Sequence, residues 1–285
     1  MKTEKKRVGT KAEIRAIKNR ERRIATAIFL VFILLIVVFS SYFTYNFLNQ
    51  PQNQTTNPTS SQLKAAIVDH LSLTIPNQTF IQTATNTLKQ AGYTVDYYPC
   101  EEVTVEFYRN LPTHGYSIII LRVHSAVGPG NQPPLALFTS EPISNTEYVS
   151  DQLTDRLQGV AFLPYKSGDP TFFGIPPKFV GLSMNGKFRN TIIIAMGCDG
   201  LTYSDMADAF IRKGAKAYIG WKGSVLASHT DLATAHLLQH FVIEKQTLET
   251  ATKEAMQDVG ADPAYNSLLT YYPLEVGEQT IENTP

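Results

Sequence analysis

The chain has little of what several common kinds of functional site require. Its 285 residues contain only two cysteines, so at most one disulfide can form within it. No HExxH pattern occurs, which argues against the zinc hydrolases that depend on that motif. Basic and acidic side chains balance at 25 each, so the chain as a whole lacks the positive excess typical of nucleic-acid-binding proteins. A hydrophobic fraction of 43% allows one sizeable α/β domain with appendages.

Charge is absent from residues 24–48, whose sequence is IATAIFLVFILLIVVFSSYFTYNFL. A run of this length crosses a bilayer of about 30 Å, and the aromatic residues near its end suit the membrane interface. A cleaved signal peptide would have a shorter apolar core and an A-x-A site, which does not follow here. We therefore predict an uncleaved transmembrane anchor and a single-pass membrane protein.

Basic residues concentrate just before this run. Residues 1–23 hold ten basic and three acidic side chains, and the positive-inside rule places this basic arm in the cytoplasm. The rest of the chain then holds 15 basic and 22 acidic side chains, which argues against a nucleic-acid partner for it. We predict that everything after residue 48 is extracytoplasmic.

The extracytoplasmic part divides by composition. Residues 49–62 are polar and non-periodic and predict a flexible stalk, residues 63–262 predict an α/β domain, and residues 263–285 predict an acidic tail. Asn53 and Asn77 begin N-x-T triplets, which become glycosylation sites only in a host that glycosylates.

Apolar, β-branched runs alternate with amphipathic segments through the domain, a pattern typical of a doubly wound parallel sheet. The predicted strands are, in chain order, Lys64–Asp69, Thr94–Tyr98, Ser117–Val123, Thr191–Met196 and Ala217–Gly220. We expect the second, first, third and fourth of them to lie side by side in that order.

Residues 127–189 form a connection that is too long for an ordinary loop in a compact domain. Insertions at the carboxyl edge of a sheet commonly build the substrate cleft. The aromatic residues available to line such a cleft are Phe138, Tyr148, Phe172, Phe173 and Phe179. The alternative is that they pack the insertion onto the sheet.

Two reactive side chains follow predicted strands. Cys198 comes after the fourth strand, between Gly197 and Gly200, and His124 comes directly after the third. Neighbouring parallel strands end at one edge with axes about 4.8 Å apart, so the imidazole and the thiol can approach each other. Taken alone, Cys198 is more simply explained as an inert buried cysteine, and His124 as a capped histidine. The matched pair favours catalysis.

Two other residues compete with this interpretation. His70 also leaves a carboxyl edge, but a histidine in a surface turn is the simpler expectation. Cys100 raises the question of a bridge to Cys198. The expected strand order separates the two cysteines by three strand spacings, roughly 14 Å, whereas a disulfide needs Cα atoms within ~7 Å. We therefore predict two free thiols.

The segments VHSA, IIIAMGCDG and AFIRKGAKAYIGWKGSV together resemble the caspase and gingipain superfamily (clan CD) of cysteine peptidases, especially its gingipain and caspase-HetF-associated branches. The resemblance covers roughly residues 65–258. It implies a three-layer α/β sandwich with a mostly parallel sheet, in which His124 is the general base and Cys198 the nucleophile. The chain departs from the family pattern at Ser125, where many members have a glycine whose N–H helps to bind the oxyanion.

The predicted function is that of a membrane-anchored, extracytoplasmic cysteine endopeptidase that acts on a peptide or protein substrate without a cofactor or metal. The expected oxyanion donors are the backbone N–H groups of Ser125 and Cys198. The turn after Gly197 and the helix beyond it are expected to favour the thiolate. Asp199 is expected to bind a basic substrate side chain, or else to cap its own turn.

Two alternatives remain open from the sequence. The same fold can serve as a non-catalytic binding or adhesion module on the cell surface. A zinc hydrolase built on His229, His236 and His240 is more distant, because histidines at this spacing are more often ordinary helix residues.

Overall fold

The computed structural model describes residues 63–128, 130, 132–162 and 165–281. These residues fall within a single unit, Ser61–Pro285. No helix among them is both long enough and apolar enough to cross a membrane. The predicted basic arm, transmembrane anchor and stalk, together residues 1–62, lie outside the described part of the chain.

A six-stranded, mostly parallel sheet forms the centre of the domain. Its strands are β1 (Lys64–Asp69), β2 (Thr94–Pro99), β3 (Ile118–Arg122), β8 (Thr191–Ala195), β9 (Ala215–Trp221) and β10 (Leu269–Tyr272). Their order across the sheet is β10-β9-β8-β3-β1-β2, and only β10 is antiparallel to its neighbour. The predicted order of the first four strands and the α/β class are confirmed.

A smaller antiparallel sheet lies in the segment between β3 and β8. Its strands are β4 (Ser125–Gly128), β5 (Gln132–Pro142), β6 (Gln158–Val160) and β7 (Phe172–Ile175), in the order β4-β5-β7-β6. The sequence predicted a cleft-building insertion here, without a second sheet. The insertion is instead a sheet that begins one residue after His124.

Helices cover both faces of the main sheet. They are α1 (Gln78–Gln90), α2 (Val105–Asn110), α3 (Val149–Leu153), α4 (Pro177–Leu182), α5 (Asp205–Arg212), α6 (Ala227–Leu238) and α7 (Leu248–Val259). A π-helical turn, Gln239–Ile243, continues α6, and short 3-10 turns occupy Cys100–Glu102, Leu111–His114 and Leu274–Val276. Helices lie on both faces of the main sheet because its central strands are apolar on both faces, and each face has to be covered.

Alternate residues of each central strand pack against different helices. Ile118 and Ile120 of β3 lie in the cluster built with α1, α6 and α7. Ile119 and Leu121 lie in the opposite cluster, which contains residues of α2, α4, α5 and the smaller sheet. Burial on both sides accounts for the continuous isoleucine run, since a strand with one wet face would alternate with polar residues.

The C-terminal segment belongs to the sheet. Residues 263–285 were predicted to form a separate acidic tail, yet residues 269–272 are β10, which pairs with β9 along its whole length. The side chain of Leu269 is buried. The domain therefore extends past the predicted boundary at residue 262.

Candidate active site

The register of the sheet brings His124 and Cys198 to one edge. Leu121 of β3 is paired with Ala195 of β8, and each candidate residue lies three positions beyond its member of this pair. Both residues line one open cleft with a volume of about 690 Å³. That size lies within the range of small-molecule and peptide-side-chain sites. The structure therefore places together the two residues that the sequence singled out.

The smaller sheet supplies the opposite wall of the cleft. Phe138 of β5 and Phe162 both line it, with ring centroids 5.8 and 4.9 Å from that of His124. Of the five aromatic residues proposed for this wall, Phe138 alone lines the cleft. Phe173 and Phe179 are fully buried in the main core instead. Phe162 was missed because it lies in a segment with no periodicity.

Close backbone approach holds the cysteine turn against the end of β3. A Cβ atom on Gly197 would lie 2.6 Å from the carbonyl oxygen of Val123 and would also collide with the Ser125 side chain. The Ser125 hydroxyl donates a hydrogen bond of 2.5 Å to the carbonyl oxygen of Cys198. Glycine at 197 and serine at 125 thus fit each other, and the serine ties the two halves of the site together.

The backbone N–H of Ser125, a predicted oxyanion donor, takes no part in the pairing of β4 with β5. Ser125 is paired with Leu137, and the N–H of Phe138 donates to the carbonyl oxygen of His124 at 2.9 Å. This pattern makes Ser125 and Leu137 a non-hydrogen-bonded pair, so the Ser125 N–H points away from β5. Because β4 is the edge strand, that N–H is directed away from the smaller sheet.

The Cys198 thiol is held in the neutral form. Burial raises its pKa, a hydrogen bond from the backbone of Val225 acts in the opposite direction, and the charge of Asp199 raises it further. The Val225 N–H lies 3.4 Å from Sγ. The expectation that the turn and the next helix favour the thiolate is therefore wrong. That helix, α5, begins only at Asp205, seven residues beyond the thiol.

The His124 imidazole is also neutral over most of the pH range. Burial, the neighbouring His70 and the charge of Arg122 together lower its pKa to about 4. A neutral imidazole that shares a cleft with a neutral thiol is in the protonation state to accept the proton as the sulfur attacks. The pair is therefore suited to general-base activation rather than to a preformed ion pair.

His70 is a buried neighbour of His124 and not a surface-turn histidine, which corrects the sequence-based expectation. Only 4% of it is exposed, and its ring meets that of His124 edge-on with centroids 5.8 Å apart. Its Nε2 lies 3.2 Å from the carbonyl oxygen of Thr139, to which it donates. Burial lowers its pKa, so the ring is neutral. The contact restrains the orientation of the His124 ring.

A buried ion cluster lies directly below the two histidines. The Arg122 guanidinium donates to Asp69 at 2.7 Å and to both carboxylate oxygens of Asp231 at 2.7 and 2.9 Å. All three side chains are at most 4% exposed. Asp69 precedes His70, and Arg122 lies two residues before His124. The cluster therefore fixes the ends of β1 and β3 to α6 beneath the cleft.

Asp199 lies in the cleft lining, but its carboxylate is also engaged locally. Its φ is +60°, and its Oδ1 accepts a hydrogen bond from the Thr202 hydroxyl at 2.8 Å. Of the two roles weighed for this residue, this contact corresponds to the local one, within its own turn. A substrate cation would have to share the carboxylate with Thr202.

Both cysteines are free, as predicted. Cys100 is buried, and burial also raises its pKa. His229 lies against Trp221, with its Nε2 3.1 Å from the carbonyl oxygen of Gly260. Among the described residues, the structure does not group His229 with His236 and His240.

No family model matches the chain, and no curated protein matches it either. The resemblance to the caspase and gingipain superfamily therefore stays a prediction from the sequence motifs. The function has to be argued from the site itself.

Proposed function

We propose that the chain is a cysteine endopeptidase with a caspase-like domain, in which Cys198 is the nucleophile and His124 the general base. The observation that carries the proposal is that both residues lie just beyond the ends of adjacent parallel strands and line one cleft. The carboxyl edge of such a sheet is where α/β enzymes place their chemistry. The neutral state of the imidazole supports the assignment of the base.

The proposed reaction proceeds through an acyl-enzyme. His124 takes the thiol proton as Sγ of Cys198 bonds to the scissile carbonyl carbon, and the Ser125 N–H binds the oxygen that becomes negative. The C–N bond then breaks, and His124 returns the proton to the departing amine. Water, deprotonated by His124, hydrolyses the thioester and restores the thiol.

The substrate class follows from the shape of the cleft. It is open, and its walls are mainly apolar, with Asp199 at one side. We propose an extended peptide or protein segment as the substrate. A basic residue before the scissile bond is compatible with Asp199, although the hydrogen bond from Thr202 reduces what that carboxylate can contribute.

A peptide-directed electrophile tests the proposal. A peptidyl ketone that alkylates thiols should attach once per chain to the full-length protein in detergent, and mass mapping should place it on Cys198. The half-buried Cys198 borders the cleft, whereas Cys100 is only 8% exposed and lies outside it.

The matched control is Cys100→Ala, which should label like the wild type, whereas Cys198→Ala should not label. Iodoacetamide at neutral pH should react slowly with both variants, because it lacks the peptide that docks in the cleft. Equal labelling of the two cysteines by the peptidyl ketone would contradict the proposal.

A non-catalytic binding module is the second candidate. The raised pKa of Cys198 favours it, since a protonated thiol is a weak nucleophile. In that case a peptide should bind in the cleft without being cleaved. Joining the peptide to an alkylating group should then not speed the alkylation of Cys198.

We also propose that the domain is anchored outside the membrane by residues 24–48. The support is the uncharged run and the basic arm that precedes it. Protease added to intact cells should remove the α/β domain and leave an N-terminal tag protected. Digestion of the tag in sealed cells would reverse the proposed orientation.

A further inference from the structure

A second cluster of polar side chains lies at the packed surfaces of α6 and α7. His236 of α6 and His240 of the π-helical turn are four residues apart, and Asp258 lies in the last turn of α7. The Nδ1 of His236 and the Nε2 of His240 each lie 2.8 Å from Oδ2 of Asp258. Three ligand-type atoms thus converge within 4.8 Å of one another.

The Nδ1 side of the His240 ring faces carboxylates, as is common for metal-binding histidines. Its Nδ1 lies 2.9 Å from Oε2 of Glu244 and 3.5 Å from Oε2 of Glu254. A metal-binding histidine commonly donates its second ring N–H to a carboxylate, which fixes the ring and strengthens the ligand. His240 would do this here, with Nδ1–H on Glu244 and the Nε2 lone pair free for an ion.

The accessibility of the cluster also suits a metal ion. The side chain of His240 is 14% exposed, whereas His236 and Asp258 are 40% and 39% exposed. The inner ligand is therefore ordered by packing, and the outer two can open by the fraction of an ångström that an inserted ion needs. Solvent can supply the remaining coordination position.

We propose that His236, His240 and Asp258 bind one divalent cation of the zinc class. Two imidazole nitrogens and one carboxylate oxygen suit Zn²⁺, Co²⁺ and Ni²⁺ better than Ca²⁺ or Mg²⁺, which prefer all-oxygen sites. The ion would fasten α6 to α7, on the face of the sheet that also carries α1. This site is separate from the Cys198 cleft and does not depend on its activity.

The competing account is an ion-pair cluster without metal. Partial burial lowers the pKa of His240, but its hydrogen bonds to Asp258 and Glu244 outweigh this and raise the pKa. A protonated His240 would bind both carboxylates and leave no lone pair for an ion. The two accounts differ in whether a metal binds in place of that proton.

Titration calorimetry with ZnCl₂ separates them. The full-length chain carrying Cys198→Ala should be used in detergent at neutral pH, so that the cleft thiol takes no metal. We expect one Zn²⁺ per chain. His236→Gln and Asp258→Asn should each weaken binding more than tenfold, because each removes a ligand. Glu244→Ala should weaken it about tenfold, the lower end for such a partner, since Glu254 can substitute.

Glu249→Gln is the matched control, because it makes the same kind of charge change in the exposed first turn of α7 and should leave the affinity unchanged. Thermal unfolding in EDTA checks that each variant is folded. Of these variants, His236→Gln should disturb folding least, because the His236 side chain is 40% exposed. Co²⁺ should give d–d absorption bands without a thiolate charge-transfer band. Absence of stoichiometric binding, or binding unaffected by both ligand substitutions, would overturn the site.

Discussion

His124→Ala should lower kcat/KM by about a hundredfold to ten-thousandfold for any peptide that the wild-type chain cleaves. The thiol of Cys198 is protonated at neutral pH because burial raises its pKa, so it needs a base at the moment of attack. His124 is the neutral base that shares its cleft. In the wild type, cleavage should be lost as the pH falls through about 4, where the imidazole becomes protonated.

Alkylation of Cys198 by iodoacetamide, unlike peptide cleavage, should be unaffected by the His124→Ala substitution. The rate should rise with pH through and beyond the ordinary thiol range, in the wild type and in His124→Ala alike, because burial and not an imidazolium sets the thiol pKa. A preformed ion pair would instead give a fast reaction in mild acid that disappears in the variant. That result would contradict the neutral dyad.

The control for these measurements is His236→Gln, assayed in EDTA. It removes an imidazole of α6 that does not line the cleft, and it should leave both the cleavage rate and the alkylation profile unchanged. A comparable loss of kcat/KM in this variant would mean that the effect of His124→Ala is not specific to the cleft.

Arg122→Ala should lower the free energy of unfolding by about 3–5 kcal/mol. Arg122 is fully buried, and its removal leaves the carboxylates of Asp69 and Asp231 buried without their cation. Its guanidinium also donates to the carbonyl oxygen of Ile75 at 2.8 Å, which would lose that donor. Urea unfolding measures the change.

The single tryptophan is a suitable probe for that measurement. Trp221 is fully buried, and its indole N–H donates to the Thr230 hydroxyl, next to Asp231 in the chain. Lys64→Ala is the control, because Lys64 forms a half-exposed pair with Asp96 and should cost no more than about 1 kcal/mol. Equal effects from the two substitutions would show that the cluster contributes little.

The sequence was sufficient for the features that depend on local pattern. Apolar runs of the right length identified the parallel strands, and the residues that follow them identified His124 and Cys198. The expected strand order is one that is common in doubly wound sheets. The assignment of the strands and of the residues that follow them needs no knowledge of how distant segments meet.

Features that depend on distant segments could not be predicted. β10 joins β9 although its short sequence has no strand periodicity of its own. His70 becomes a neighbour of His124 only because β1 and β3 are adjacent. Asp258, which lies close to His236 and His240, comes from another helix. The thiol pKa was misjudged because its main cause, the burial of Cys198, depends on how distant segments pack around the thiol.

The Arg122 cluster also sets when the cleft can be completed during synthesis. One carboxylate partner of Arg122 lies 53 residues before it, and the other lies 109 residues after it. During translation, β3 and both cleft residues are therefore synthesised before Asp231 exists to neutralise the guanidinium. Contacts of such long sequence separation form late, because the chain between them must first be ordered. A nascent chain that stops short of Asp231 thus contains both His124 and Cys198 but no finished cleft.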